Sequence, residues 1–201
     1  NAALRAGAAD RAVDAWDGEL AAAAAILDRL RDAFCTALEG VLEPLAARTL
    51  GKARVGVDYR RGWPLEPSER DFAVWLRAGR GSDRQQGHTR SGPHRADFTL
   101  RVAGQPPGAA LSRGQQKLLT IALLLAQAEL YHRHLGDACI LLIDDLPAEL
   151  DPGNRARVSR TLAELDAQLF VTAIEPGLLD IAPWRAAKTF GLTGGDVREM
   201  I

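Results

Sequence analysis

Apolar positions near the start of the chain recur at helical spacing. Val13, Trp16, Leu20, Ala23, Leu27, Leu30 and Phe34 step alternately by three and four residues, and Leu38, Val41 and Leu45 continue the stripe. The spacing predicts one long helix, with alanines 21–25 adding intrinsic propensity and Pro44 ending or kinking it. Packing on the chain's own core is the expected use of the stripe. The alternative is a projecting arm that lies along a partner helix.

Beyond residue 52 the period shortens. Val55 and Val57 alternate with polar neighbours, as do Phe98, Leu100 and Val102, which predicts two strands. Between them, residues 67–71 read as a helix start, with Ser68 as cap and Asp71 answering three positions later. Residues 79–87, rich in Gly, Arg and Gln, read as a flexible basic loop.

The last ninety or so residues alternate between the two periods. Residues 112–133 and 152–166 are predicted helices. Residues 139–143 and 169–174 are apolar without alternation, as in strands of a parallel sheet covered on both faces. Residues 189–192 and 197–201 flank Thr193-Gly194-Gly195-Asp196, a hairpin pattern.

Composition narrows the partners. The chain has 201 residues and a formal net charge of -1, so whole-molecule attraction to polyanions is excluded. The charge is unevenly placed: residues 51–101 carry eleven Lys+Arg against six acids, and the flanking stretches are acidic. Arg60, Arg61, Arg77, Arg80, Arg84, Arg90 and Arg95 are therefore candidate phosphate contacts for DNA, against the alternative of scattered solvated arginines. His94 and Arg95 follow a Gly92-Pro93 turn and are open to a structural or a nucleotide-facing role instead. Only two cysteines occur, Cys35 and Cys139, which fits a reducing cytoplasm better than a disulfide scaffold. No apolar run has the length of a membrane helix.

The strongest chemical signal is the strand 139–143 followed by Asp144 and Asp145. Adjacent carboxylates at the carboxyl end of a strand lie where open α/β sheets bind ligands, and a cation compensates their cost. Magnesium, which takes few protein carboxylates plus water and phosphate, suits them. Thirty-two residues earlier, Leu111-Ser112-Arg113-Gly114-Gln115 opens a helix. The same residues make an ordinary capping box and an anion-accepting helix mouth. Ala148-Glu149-Leu150-Asp151 precedes the next helix, where Asp151 is a natural cap.

Together these motifs resemble the ATP-binding-cassette class of ATPases and, within it, the RecF family of bacterial recombination-repair proteins. Leu111–Gln115 resembles the signature motif, residues 140–145 the Walker B strand, and residues 148–151 the D-loop; Gly92-Pro93-His94-Arg95-Ala96-Asp97 resembles a segment typical of RecF. The implied fold is α/β: residues 111–201 as the C-terminal part of an ATPase head, a parallel sheet with flanking helices, and residues 1–110 as a helical arm and basic lobe. No G-x-x-x-x-G-K-[ST] phosphate loop is present, so the chain alone is expected to be inactive. Two further departures are Asp145, where many relatives have Glu, and Thr172, near where many place a switch histidine.

The resemblance implies ATP and Mg2+ as cofactors, with Asp144 on the metal and Asp145 orienting the attacking water. Ser112, Arg113, Gly114, Gln115 and Asp151 would act in trans on a nucleotide held by a second copy. It also implies an ATP-dependent homodimer on single-strand/double-strand DNA junctions, RecO and RecR as partners in loading recombinase, and a cytoplasmic location without membrane contact. Competing expectations are a head of the SMC/Rad50 or overcoming-lysogenisation type, or a non-catalytic dimerisation module.

Overall fold

The apolar stripe forms one helix, but it is used differently along its length. The structure, a computed structural model, describes residues 1–51, 54–64, 72–148, 150–165 and 167–200. After a short α1 (Ala2–Arg5), α2 runs unbroken over Asp10–Leu50 and carries Pro44 inside it. The proline neither ends nor breaks the helix. Gly40, four residues earlier, is the residue whose carbonyl the ring must clear. Leu38, Leu42, Leu45 and Ala46 around it are 0–3% exposed and hold this stretch by burial. Within residues 10–37 the expected core-facing stripe is mostly on the outside: Trp16 is 66% and Leu30 63% exposed, with Leu27 and Phe34 also exposed. The buried side there presents small residues, Ala21 and Ala24.

The remaining elements are β1 (Val55–Arg60), α3 (Phe72–Gln86), β2 (Asp97–Val102), a one-turn α4 (Pro107–Ala110), α5 (Arg113–Leu135), β3 (Cys139–Ile143), α6 (Pro152–Ala163), β4 (Ala167–Val171), β5 (Thr189–Thr193) and β6 (Asp196–Met200). β1 neighbours β2, β3 pairs parallel with β4, and β5 pairs antiparallel with β6. The β5–β6 turn places Gly194 and Gly195 at positive φ, as its sequence predicts. The helix start expected at residues 67–71 lies outside the described residues. The loop expected at residues 79–87 is instead the second half of α3. Two internal glycines disfavour that helix intrinsically, but tertiary ion pairs to Arg80 and Arg84 override local propensity.

The chain divides into two compact units, and neither is contiguous: Asn1–Ala37 with Val57–Leu100, and Leu38–Gly56 with Arg101–Ile201. The expected division at 110/111 was a single cut. In the first unit, Ala21, Ala24, Phe72 and Leu76 form a small core, with Leu20, Trp63, Ala73 and Trp75 packed on it. Small residues on α2 let the aromatic groups approach closely, and Trp63 stacks on Phe72 with ring centroids 4.7 Å apart.

In the second unit the buried apolar side chains come from the end of α2, from α5 (Leu118, Leu119, Ala122, Leu125, Ala126), from Leu146 and Leu150, and from α6 (Val158, Leu162). Each fully buried leucine contributes roughly 1.5–3 kcal/mol. The parallel sheet expected to be covered on both faces is covered on one among the described residues: Ile140 is 64%, Leu142 78% and Phe170 53% exposed. No helix among the described residues is long and apolar enough to cross a membrane.

Candidate functional site

The register of the parallel pair builds the site. Ile143 is the partner of Val171, so the next residues beyond the two strands, Asp144 and Thr172, leave side by side. Thr172 Oγ1 donates to Asp144 Oδ1 at 2.6 Å and accepts the Asp145 backbone N–H at 2.7 Å. The Thr172 N–H donates to Ile143 O at 3.0 Å, and the Leu146 N–H donates to Thr172 O at 3.2 Å. One threonine thus ties down both acids. Asp144 is exposed and Asp145 half-buried, so the pair stands at a strand tip open to solvent.

Asp145 has φ 43, a left-handed conformation that is unusual for a residue with a Cβ. Its carbonyl accepts from Lys117 Nζ at 2.8 Å, and the same ammonium donates to Ala148 O at 3.0 Å. Lys117 has no motif of its own in the sequence. It lies three residues after Gly114 and four before the buried Ile121, on the inward side of α5, and a charge on such a face needs acceptors.

Ser112 caps α5 as its sequence predicts. Its Oγ accepts from the Gln115 N–H, and Gln115 Oε1 accepts from the Ser112 N–H at 2.9 Å, completing a capping box. Ser112, Arg113 and Gln115 are exposed, and Gly114 is half-buried. The mouth of this 23-residue helix therefore faces outward with its hydroxyl accessible. Asp151 caps α6: Oδ1 accepts the Asn154 N–H at 2.8 Å, and Oδ2 accepts from Asn154 Nδ2 at 2.6 Å. It too is exposed. Among the described residues no three metal-ligating side chains cluster. Asp144, with one oxygen free of Thr172, fits a magnesium ion as one of the few carboxylates such an ion takes beside phosphate and water.

The seven arginines separate into two groups, all within the first unit. Arg80 is buried on α3, and its Nη2 reaches Asp14 and Asp17 at 2.6 Å each. Burial works to lower its pKa, but the hydrogen bonds it donates to Asp14 and Asp17 outweigh it, and the net shift is upward. In turn the Arg80 hydrogen bond is the main cause holding the Asp14 carboxyl below its ordinary 3.8. Arg84 meets Asp10 at 2.8 Å, Arg77 meets Asp14 at 3.3 Å, and Arg61 meets Asp28 at 3.1 Å while lying over Trp63. These four are tied into structure, and the expectation that Arg80 and Arg84 project from a loop is corrected: they brace α3 against α2.

Arg60, Arg90 and Arg95 are exposed and, with Gly62, Trp63 and Pro64, line an open cleft of about 510 Å3. The cleft depends on one close approach: a Cβ on Gly62 would fall 2.4 Å from Gly92 O and 2.5 Å from Ala96 N. The Gly92-Pro93-His94-Arg95 segment is a tight turn docked on Gly62, whose carbonyl accepts the Gly92 N–H at 3.0 Å. His94 Nε2 lies 3.0 Å from Thr89 O, so this histidine is held within the turn.

Residues 15–194 match the family described as the RecF/RecN/SMC N terminal domain. The chain is 39% identical over 200 residues to the DNA replication and repair protein RecF of Shewanella amazonensis, covering 99% of this chain and 55% of that protein. It is 40% identical over 180 residues to RecF of Pseudomonas aeruginosa, covering 89% and 48% respectively. The chain therefore spans about half the length of the curated relatives it matches. Among solved structures, the recombination mediator protein RecF with ATPrS superposes with a TM-score of 0.72 at 18% identity, over 97% of this chain and 52% of that one. A structure titled for ATP-driven dimerization of SMC ATPases gives 0.52 at 14% identity, over 86% and 88%. These likenesses establish the fold as that of an α/β ATPase head.

Proposed function

The chain belongs to the RecF/RecN/SMC family, and from that premise we propose that it serves as the signature-bearing part of a RecF-type ATPase that dimerises around ATP on DNA. The observation that carries this reading is the strand-tip arrangement of Asp144, Asp145 and Thr172. One hydroxyl that binds the Asp144 carboxylate and the Asp145 backbone N–H fixes two adjacent acids at a solvent-facing strand tip, which suits phosphoryl transfer, where catalysis is positioning plus electrostatics.

In this reading Asp144 holds Mg2+, which when bound neutralises charge on the β- and γ-phosphates. Asp145 orients the attacking water. Thr172 keeps the two acids in register and, having no imidazole, contributes no acid–base step. The exposed mouth of α5, with Ser112, Arg113, Gly114 and Gln115, receives the γ-phosphate of a nucleotide bound by a second copy, where backbone N–H groups and the helix dipole favour an anion. Asp151, at the mouth of α6, faces the same partner. Arg60, Arg90 and Arg95 supply phosphate contacts to DNA, supported by their exposure around one cleft. The proposal extends to RecO and RecR as loading partners, junction DNA as target and a cytoplasmic setting, supported by the likeness to a recombination mediator of the RecFOR pathway.

Ser112→Arg in the full-length protein tests the reading. The bulky cation should block the mouth of α5, abolishing ATP-dependent dimerisation in sedimentation while nucleotide binding by the single subunit stays within about twofold. A normal ATP dimer from that variant contradicts the role given to α5.

A further inference from the structure

Asp145 is held on both sides of its strained backbone. Its N–H is fixed by Thr172 Oγ1 at 2.7 Å, and its carbonyl by Lys117 Nζ at 2.8 Å. A left-handed conformation is unfavourable for a non-glycine residue and persists only where its surroundings impose it. Two of the groups that do so sit on different elements: Thr172 just beyond β4, Lys117 on α5. The Lys117 ammonium also takes Ala148 O at 3.0 Å, and so spans the turn that leaves β3.

Lys117 is five residues from Ser112, about 7.5 Å along a rigid helix. One helix therefore carries the outward-facing mouth at one end and, one and a half turns later, the cation that grips the Asp145 peptide. The direction in which a side chain leaves the backbone follows φ and ψ. A shift of α5 along its axis would thus re-aim the Asp145 carboxylate through Lys117.

We propose that Lys117 is a positioning residue that couples occupancy of the α5 mouth by the second copy's nucleotide to the aim of Asp145. This rests on the function proposed above. The acceptors of Lys117 are main-chain carbonyls, and it acts through that of Asp145. Nucleotide seated against Ser112 pulls α5 into place, α5 carries Lys117, and Lys117 sets the turn so that the acid points at the water.

The test uses the full-length protein with Lys117→Met, which keeps an unbranched side chain one atom shorter and removes the donors, and Lys117→Arg, which restores a cation. Steady-state ATP hydrolysis should show kcat down by about 10–100-fold for Lys117→Met, with KM and ATP-dependent dimerisation within about twofold of wild type, and partial recovery in Lys117→Arg. In an Asp145→Asn background, Lys117→Met should lower kcat by less than about twofold, since both changes remove the same step. If Lys117→Met fails to fold, Lys117→Gln, which keeps one amide donor, takes its place with the same readouts. A wild-type kcat in Lys117→Met, a loss of turnover that merely follows lost thermal stability and dimerisation, or equal losses in both Asp145 backgrounds overturns the coupling. Wild-type protein that neither dimerises with ATP nor hydrolyses it overturns the proposed function and the coupling with it. A fully active wild type with an unaffected Lys117→Met removes the coupling alone.

Discussion

At Asp151 an observed helix cap and a proposed contact with a second copy fall on one side chain, and they can be separated. Both carboxylate oxygens are used locally by Asn154, so the residue is a helix cap whatever else it does. Asparagine caps about as well as aspartate, whereas alanine loses about 1 kcal/mol. Asp151→Asn in the full-length protein should therefore leave thermal stability nearly unchanged, and a fall in ATP turnover of about tenfold would assign the negative charge to communication across the dimer. Turnover that falls only in Asp151→Ala, alongside stability, would leave the cap as its whole role.

The Arg80 cluster makes a comparable claim about pH. Asp14 titrates below its ordinary 3.8, chiefly through the Arg80 hydrogen bond. Its contribution to stability is then complete above that value, and is lost as pH falls through the lowered folded value. Denaturant titrations between about pH 5 and pH 2 should show a steeper loss of stability for wild type than for Asp14→Asn, which starts lower and stays flatter. Identical slopes would show that Asp14 does not carry the linkage.

Among the elements, periodicity is a sound guide wherever packing agrees with it. β3, α5, α6 and the β5–β6 hairpin lie within a few residues of where their patterns put them, because each pattern is local: a capping box, an apolar run, a two-glycine turn. α3 departs from its pattern for the opposite reason. Gly79 and Gly81 signal a loop, and what keeps the helix is a set of ion pairs to residues more than sixty positions away. The strand-tip acids and the α5 mouth are legible as motifs. Lys117 is not, since a lysine on a leucine-rich helix has no local signature until its two carbonyl acceptors are placed beside it. The sorting of the arginines is equally hidden, because it depends on which aspartates of α2 the fold brings near.

At the scale of the molecule, that sorting predicts which charges DNA can feel. In the full-length protein, replacing Arg60, Arg90 and Arg95 together by alanine should weaken DNA binding. The dependence of log affinity on log salt should flatten by about 0.9 for each phosphate no longer neutralised. Replacing Arg80 should act instead through stability, by removing the cation that Asp17 pairs with and leaving Asp14 only its longer pair with Arg77. An unchanged salt slope in the triple variant would place the DNA-binding cations elsewhere.

The uncovered face of β3 and β4 has a practical corollary. Ile140, Leu142 and Phe170 form an oily strip on a short parallel sheet, with Ile174, 83% exposed, just past its end. Expressed by itself, the chain is expected to self-associate through this strip, a tendency that size-exclusion chromatography over a range of protein concentrations would read.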